Sequence, residues 1–134
     1  MPPIARSFAA VMGGMVIAVT VVSLCDLAAG ALHPTPPGFD LRDLAQARAH
    51  AAAAPTSALL VVLLGWMLGP FSGGLVASHV AAGNGRMYVW VITGVLYVAT
   101  IMNLMVVSHP TWMVAGALLG VPLAGWLAAR LAPR

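Results

Sequence analysis

Four long apolar stretches limit what this chain can fold into. They run roughly over residues 8–31, 56–81, 87–107 and 112–131. Each can cross the about 30 Å of hydrocarbon in a bilayer, which takes about 20 apolar residues. None carries more than one formal charge in its interior. Backbone groups in lipid must bond within their own segment, so each stretch is predicted to be an α-helix. The alternation of a membrane β-barrel is absent.

Composition agrees. Of 134 residues, 61% are hydrophobic and 7% charged: six Arg and three Asp, with no Lys or Glu. A soluble domain carries about 25% charged residues. Such hydrophobicity also excludes disorder. The single cysteine, Cys25, excludes an intramolecular disulfide and any CxxC motif. It lies inside a span and is expected to be inert. The first stretch has Arg6 before it and Ala28-Ala29-Gly30-Ala31 after it, as a signal peptide would. Its apolar run, Phe8 to Cys25, exceeds the usual h-region of about 7–15 residues, so it is expected to stay as a span.

Arginine counts give an orientation. With the N-terminus inside, Arg6, Arg86, Arg130 and Arg134 are inside, while Arg42 and Arg48 are outside beside Asp40 and Asp43. The excess of basic residues predicts both termini in the cytoplasm. Tyr88, Trp90, Trp112 and Trp126 fall at interfacial belt positions. The net charge of +3 reflects these flanks. No arginine cluster makes a nucleic-acid face. Abundant Ala and absent Lys suggest a high-GC bacterial gene.

The connections are unequal. Gly83-Asn84-Gly85 is a tight turn. Ser108-His109-Pro110-Thr111 is also short, and the Thr111 hydroxyl is placed to cap the fourth span. The first connection, about Leu32 to Pro55, is long. Pro34, Pro36, Pro37 and Gly38 make it irregular. Asp40, three residues before Asp43, then suggests a capping-box-like start. Leu41, Leu44, Arg48 and the alanines predict a short helix on the outer surface. It either covers the bundle mouth or acts as a lid or partner dock. Pro55 is expected in the first turn of the second span.

The two halves echo each other. The first span passes Asp26 to His33-Pro34-Thr35, and the third passes Asn103 to His109-Pro110-Thr111. The second and fourth spans each carry spaced glycines and one proline, Pro70 and Pro122. A parallel repeat would imply a two-fold axis along the membrane normal. Gly65, Gly69 and Gly73, and likewise Gly116 and Gly120, follow the small-xxx-small pattern that lets helices approach closely in lipid. Gly13, Gly14 and Ala18 add a weaker version. These ladders serve either packing within the bundle or association with a second copy or a larger partner.

Polar residues recur at helical spacing. Thr20, Ser23, Asp26, Gly30 and His33 share one face of the first span, and Thr93, Tyr97, Thr100 and Asn103 one face of the third. Asp26 is the only carboxylate in the spans. Intramembrane ionisable groups face protein or a water-filled cavity. Asp26, His33, Asn103 and His109 fall at a similar depth and form the candidate polar cluster. Asp26 either bonds a neighbouring helix or histidine, exchanges a proton or cation, binds a metal with His33 and His109, or faces solvent. The metal alternative has suitable ligand types but no local motif. His79 lies at the opposite depth, so a bis-His haem is not expected. No metal or other cofactor is predicted. No nucleophile elbow, HExxH, Walker loop or dinucleotide fingerprint is present, so no catalytic residue is assigned.

Pro36-Pro37-Gly38 with Asp40, Leu64-Gly65-Trp66 with Gly73-Gly74, Asn103 to His109-Pro110, and Gly125-Trp126-Leu127-Ala128-Ala129-Arg130 together resemble a group of uncharacterised small bacterial four-span membrane proteins. The likeness covers nearly the whole chain and implies no activity. Small drug-exporting four-helix transporters have similar length but use a Glu in the first helix, which this chain lacks.

The expected protein is all-α: four transmembrane helices as two antiparallel hairpins in a bacterial inner membrane. Its expected role is a non-enzymatic accessory subunit or homo-oligomer, held through the glycine ladders. The alternative is a small proton- or ion-coupled transporter using Asp26.

Overall fold

A computed structural model describes residues 1–134 as five α-helices with no strand. The helices are α1 (Pro3–Leu32), α2 (Leu44–Ala52), α3 (Thr56–Val80), α4 (Gly85–Val106) and α5 (Thr111–Leu131). All but α2 are long and apolar enough to cross a membrane. The all-α reading and the four spans hold. α1 begins earlier than the apolar stretch because a proline at its start needs no N–H partner. Its 30 residues reach about 45 Å, longer than the hydrocarbon is thick.

α3 is the hub. It packs against α1, α4 and α5, and most extensively against α1. α4 also packs on α5, so consecutive spans form two antiparallel hairpins. α1 barely reaches α4 and does not pack on α5. The packing is therefore not two-fold. An axis exchanging α1 with α4 and α3 with α5 would turn the α3–α4 contact into an α5–α1 contact, which is missing.

Small residues make the seams. A methyl on Gly65 would lie 2.6 Å from Cys25 Cβ, and one on Gly69 would lie 2.8 Å from Val22 Cγ2. Gly73 meets Gly14 and Ala18. On α5, a methyl on Gly116 would lie 3.0 Å from Leu63 Cδ2, and one on Gly120 would lie 2.8 Å from Met67 Sδ. α1 thus fills the ladder of α3, and α3 side chains fill that of α5. Close backbone approach maximises dispersion contact where lipid supplies no hydrophobic drive.

Three local expectations shift. α2 is capped by Asp43, which accepts from Ala45 N at 2.9 Å and Gln46 N at 3.3 Å. Asp40 closes a preceding turn by accepting from Arg42 N at 2.9 Å. Leu41 therefore lies outside the helix, and α2 buries no residue. Thr111 is the first residue of α5 and makes no cap bond, because Pro110 holds the cap position. Pro55 likewise precedes α3 instead of opening its first turn. Gly83 turns the chain from α3 to α4 at φ 88°, and Asn84 caps α4 by accepting from Arg86 N at 3.1 Å.

Candidate functional site

The bundle has two unlike ends. One carries both chain termini and the α3–α4 turn. The other carries α2 and is called here the loop end. Toward the loop end α1 and α4 stand apart, because only α3 joins them closely. The gap holds a cavity of about 220 Å³ lined by Val22, Asp26, Trp66, Leu96, Ala99, Thr100 and Asn103. A second cavity, of about 290 Å³, lies beneath α2, and its polar wall includes Asp26, His33, His50 and His109. Asp26 borders both.

Asp26 stands about 9 Å before the end of α1, six residues from Leu32. Its carboxylate has no hydrogen-bonding or charged partner in the chain. The bond to a neighbouring helix or histidine, one of the alternatives for this residue, is not made.

α2 roofs the second cavity through two attachments. His33 Nε2 donates to the His50 carbonyl at 3.0 Å, and the two rings stack with centroids 4.1 Å apart. Arg48 Nε donates to the Val106 carbonyl at 2.9 Å, satisfying an acceptor at the end of α4. Opposite, His109 Nδ1 donates to its neighbour Val107 O at 2.8 Å and meets Trp66 edge-on with centroids 5.6 Å apart.

The four residues of the predicted cluster are divided between the two cavities. Asp26 lines the first together with Asn103 and the second together with His33 and His109. Asn103 does not share a cavity with the histidines. Asp26, His33 and His109 do not converge as a metal-ligand group.

The polar stripe of α4 divides. Thr100 and Asn103 face the first cavity. Tyr97 donates to Leu118 O on α5 at 3.1 Å. Thr93 is buried against Gly125, with its hydroxyl unpartnered. On α1, Thr20 turns back to Val16 O at 2.7 Å. His79 back-bonds to Leu75 O at 2.8 Å near the other end. His50 and Trp66 were not foreseen as site residues. The sole signal for His50 was one imidazole in an alanine-rich helix.

Below the first cavity the bundle is closed. Gly69 and Gly73 bring α3 onto α1, Gly74 brings it against Val89 of α4, and Ile92 and Val121 are fully buried. The arrangement places an exposed carboxylate in the loop-end half of the bundle, above closely packed helices. Pro70 and Pro122 interrupt α3 and α5 in that region, where a helix bends most easily. No family model matches this sequence, and no curated protein or solved structure shows significant similarity to it.

Proposed function

We propose that this multi-pass membrane protein binds and passes a proton or small cation at Asp26, with access from the loop end. The observation that carries the reading is the position of Asp26: an exposed, unpaired carboxylate bordering two adjoining cavities, the second of them covered by a helix tied down at His50 and Arg48. A carboxylate so placed in a span is costly unless it serves water or an ion. The arginine distribution favours the loop end outside and both termini in the cytoplasm, and composition favours a bacterial inner membrane.

Liposomes holding the purified protein and a pH-sensitive dye test this. Imposed proton or cation gradients should dissipate faster than in empty liposomes, and Asp26→Asn should abolish the difference while the protein stays folded. Equal leakage with and without the wild-type protein would overturn the reading.

A second reading is an accessory subunit or homo-oligomer. It is favoured by α1, which uses one face on α3 and leaves Phe8, Val16, Leu24 and Leu27 exposed. The glycine ladders are filled within the chain, so a partner would meet this outer face of α1. Native mass spectrometry in mild detergent separates the readings: a stable dimer or hetero-complex supports the second, a monomer the first.

A further inference from the structure

We infer that the end bearing the chain termini holds a site for the phosphate of an anionic phospholipid, built from Arg86 and Arg130. Arg86 lies in the first turn of α4 and Arg130 in the last turn of α5. The antiparallel pairing of these helices sets Arg86 and Arg130 on one shallow cavity of about 180 Å³, lined also by Trp90, Trp126 and Ala129.

Neither arginine has an acidic side chain to neutralise it. The chain's three carboxylate side chains, Asp26, Asp40 and Asp43, are all toward the opposite end. Arg130 lies over the Trp126 ring, 4.6 Å from its centroid, which orients it without removing its charge. Arg86 Nε is buried and has no hydrogen-bond acceptor. A guanidinium with a buried, unpaired donor is unfavourable, and an anion beside the group offsets the deficit. Guanidinium groups match phosphate geometry with paired donors. The nearby arginine Arg6 is already committed to Val80 O and Ala81 O, both at 3.2 Å.

The tryptophans select a lipid as the source of that phosphate. Indole rings settle at the depth of lipid headgroups, so Trp90 and Trp126 set the arginines at the same depth. Basic pockets between spans at this level recognise anionic headgroups. A phosphodiester can sit between the arginines while its acyl chains follow the exposed faces of Leu127 and Leu123.

The test is native mass spectrometry of the detergent-purified chain titrated with phosphatidylglycerol or phosphatidylcholine, whose ammonium offsets its phosphate. The wild type should retain phosphatidylglycerol with a preference of roughly tenfold. Arg86→Gln together with Arg130→Gln should bring the preference close to one. Arg42→Gln, at the loop end, should leave it intact, and circular dichroism should report equal helix content in all three proteins. Equal retention of the two lipids by the wild type, or a preference that survives the double substitution, would overturn the site. Loss of the bound lipid to millimolar inorganic phosphate would assign the arginines to free phosphate and overturn the lipid as its source.

Discussion

The hydroxyl of Tyr97 on α4 donates to the Leu118 carbonyl of α5 at 3.1 Å. That carbonyl lies four residues before Pro122, which has no N–H to offer it. The side chain of one span thus supplies the donor that proline removes from another. In hydrocarbon no water can take that place.

Tyr97→Phe should therefore lower stability by about 0.5–1.5 kcal/mol, read from unfolding of the detergent-solubilised protein by SDS. Pro122→Ala restores an N–H at position 122. On that background the cost of Tyr97→Phe should fall to a few tenths of a kcal/mol. An unchanged cost would mean that the Leu118 carbonyl is not what Tyr97 serves.

Adjacent glycines on α1 should behave differently. A methyl on Gly14 would lie 2.7 Å from the Gly73 carbonyl oxygen and 2.8 Å from Ala77 Cβ, whereas Gly13 has open space. Gly14→Ala should destabilise by about 1–3 kcal/mol through overpacking, and Gly13→Ala should be near neutral. The same SDS titration measures both. Equal effects would contradict the α1–α3 seam.

Asp26→Asn should leave stability within about 0.5 kcal/mol of the wild type, because the substitution strands no hydrogen-bonding partner. Thermal unfolding in detergent checks this independently of flux. A loss of several kcal/mol would show that Asp26 holds the bundle together through contacts absent from this arrangement.

The cap of α2 should respond to acid. The Gln46 backbone N–H, with help from the Gln46 side chain and Ala45 N–H, holds the Asp43 carboxyl below the usual carboxylate range. The folded pKa lies under the unfolded one of about 3.9, so the cap's contribution is complete above that pH. It is lost as pH falls through the lower folded value. Amide exchange at Ala45 and Gln46 should stay slow from neutral pH down to about pH 4 after correction for intrinsic rates, then quicken. Asp43→Ala should quicken it at every pH.

Much of this architecture was legible along the chain. Lipid demands long, internally bonded apolar helices, and hydropathy is a local property that a sequence displays directly. The four spans and their hairpin order followed from that, while the α3–α4 turn at Gly83 and the helix in the first connection followed from local turn and helix propensity. Cap assignments were less legible. Asp43 lies three residues from Asp40, and either spacing suits a helix start until the backbone of Arg42 is placed.

The tertiary structure alone decided which surfaces meet. Small residues on α3 and α5 announced close approach without naming the partner, since a glycine fits any neighbour with a matching ridge. Packing gave the α3 ladder to α1 and the α5 ladder to Leu63 and Met67. It left α1 apart from α4, which opened the cavity at Asp26 and broke the symmetry that the repeated HPT segments suggested. It also divided one polar stripe, turning Thr93 and Tyr97 toward α5 and leaving Thr100 and Asn103 to the cavity. The spacing of a stripe fixes a direction on its own helix. What stands in that direction depends on the rotation and tilt of every other helix, which residues distant in sequence set together.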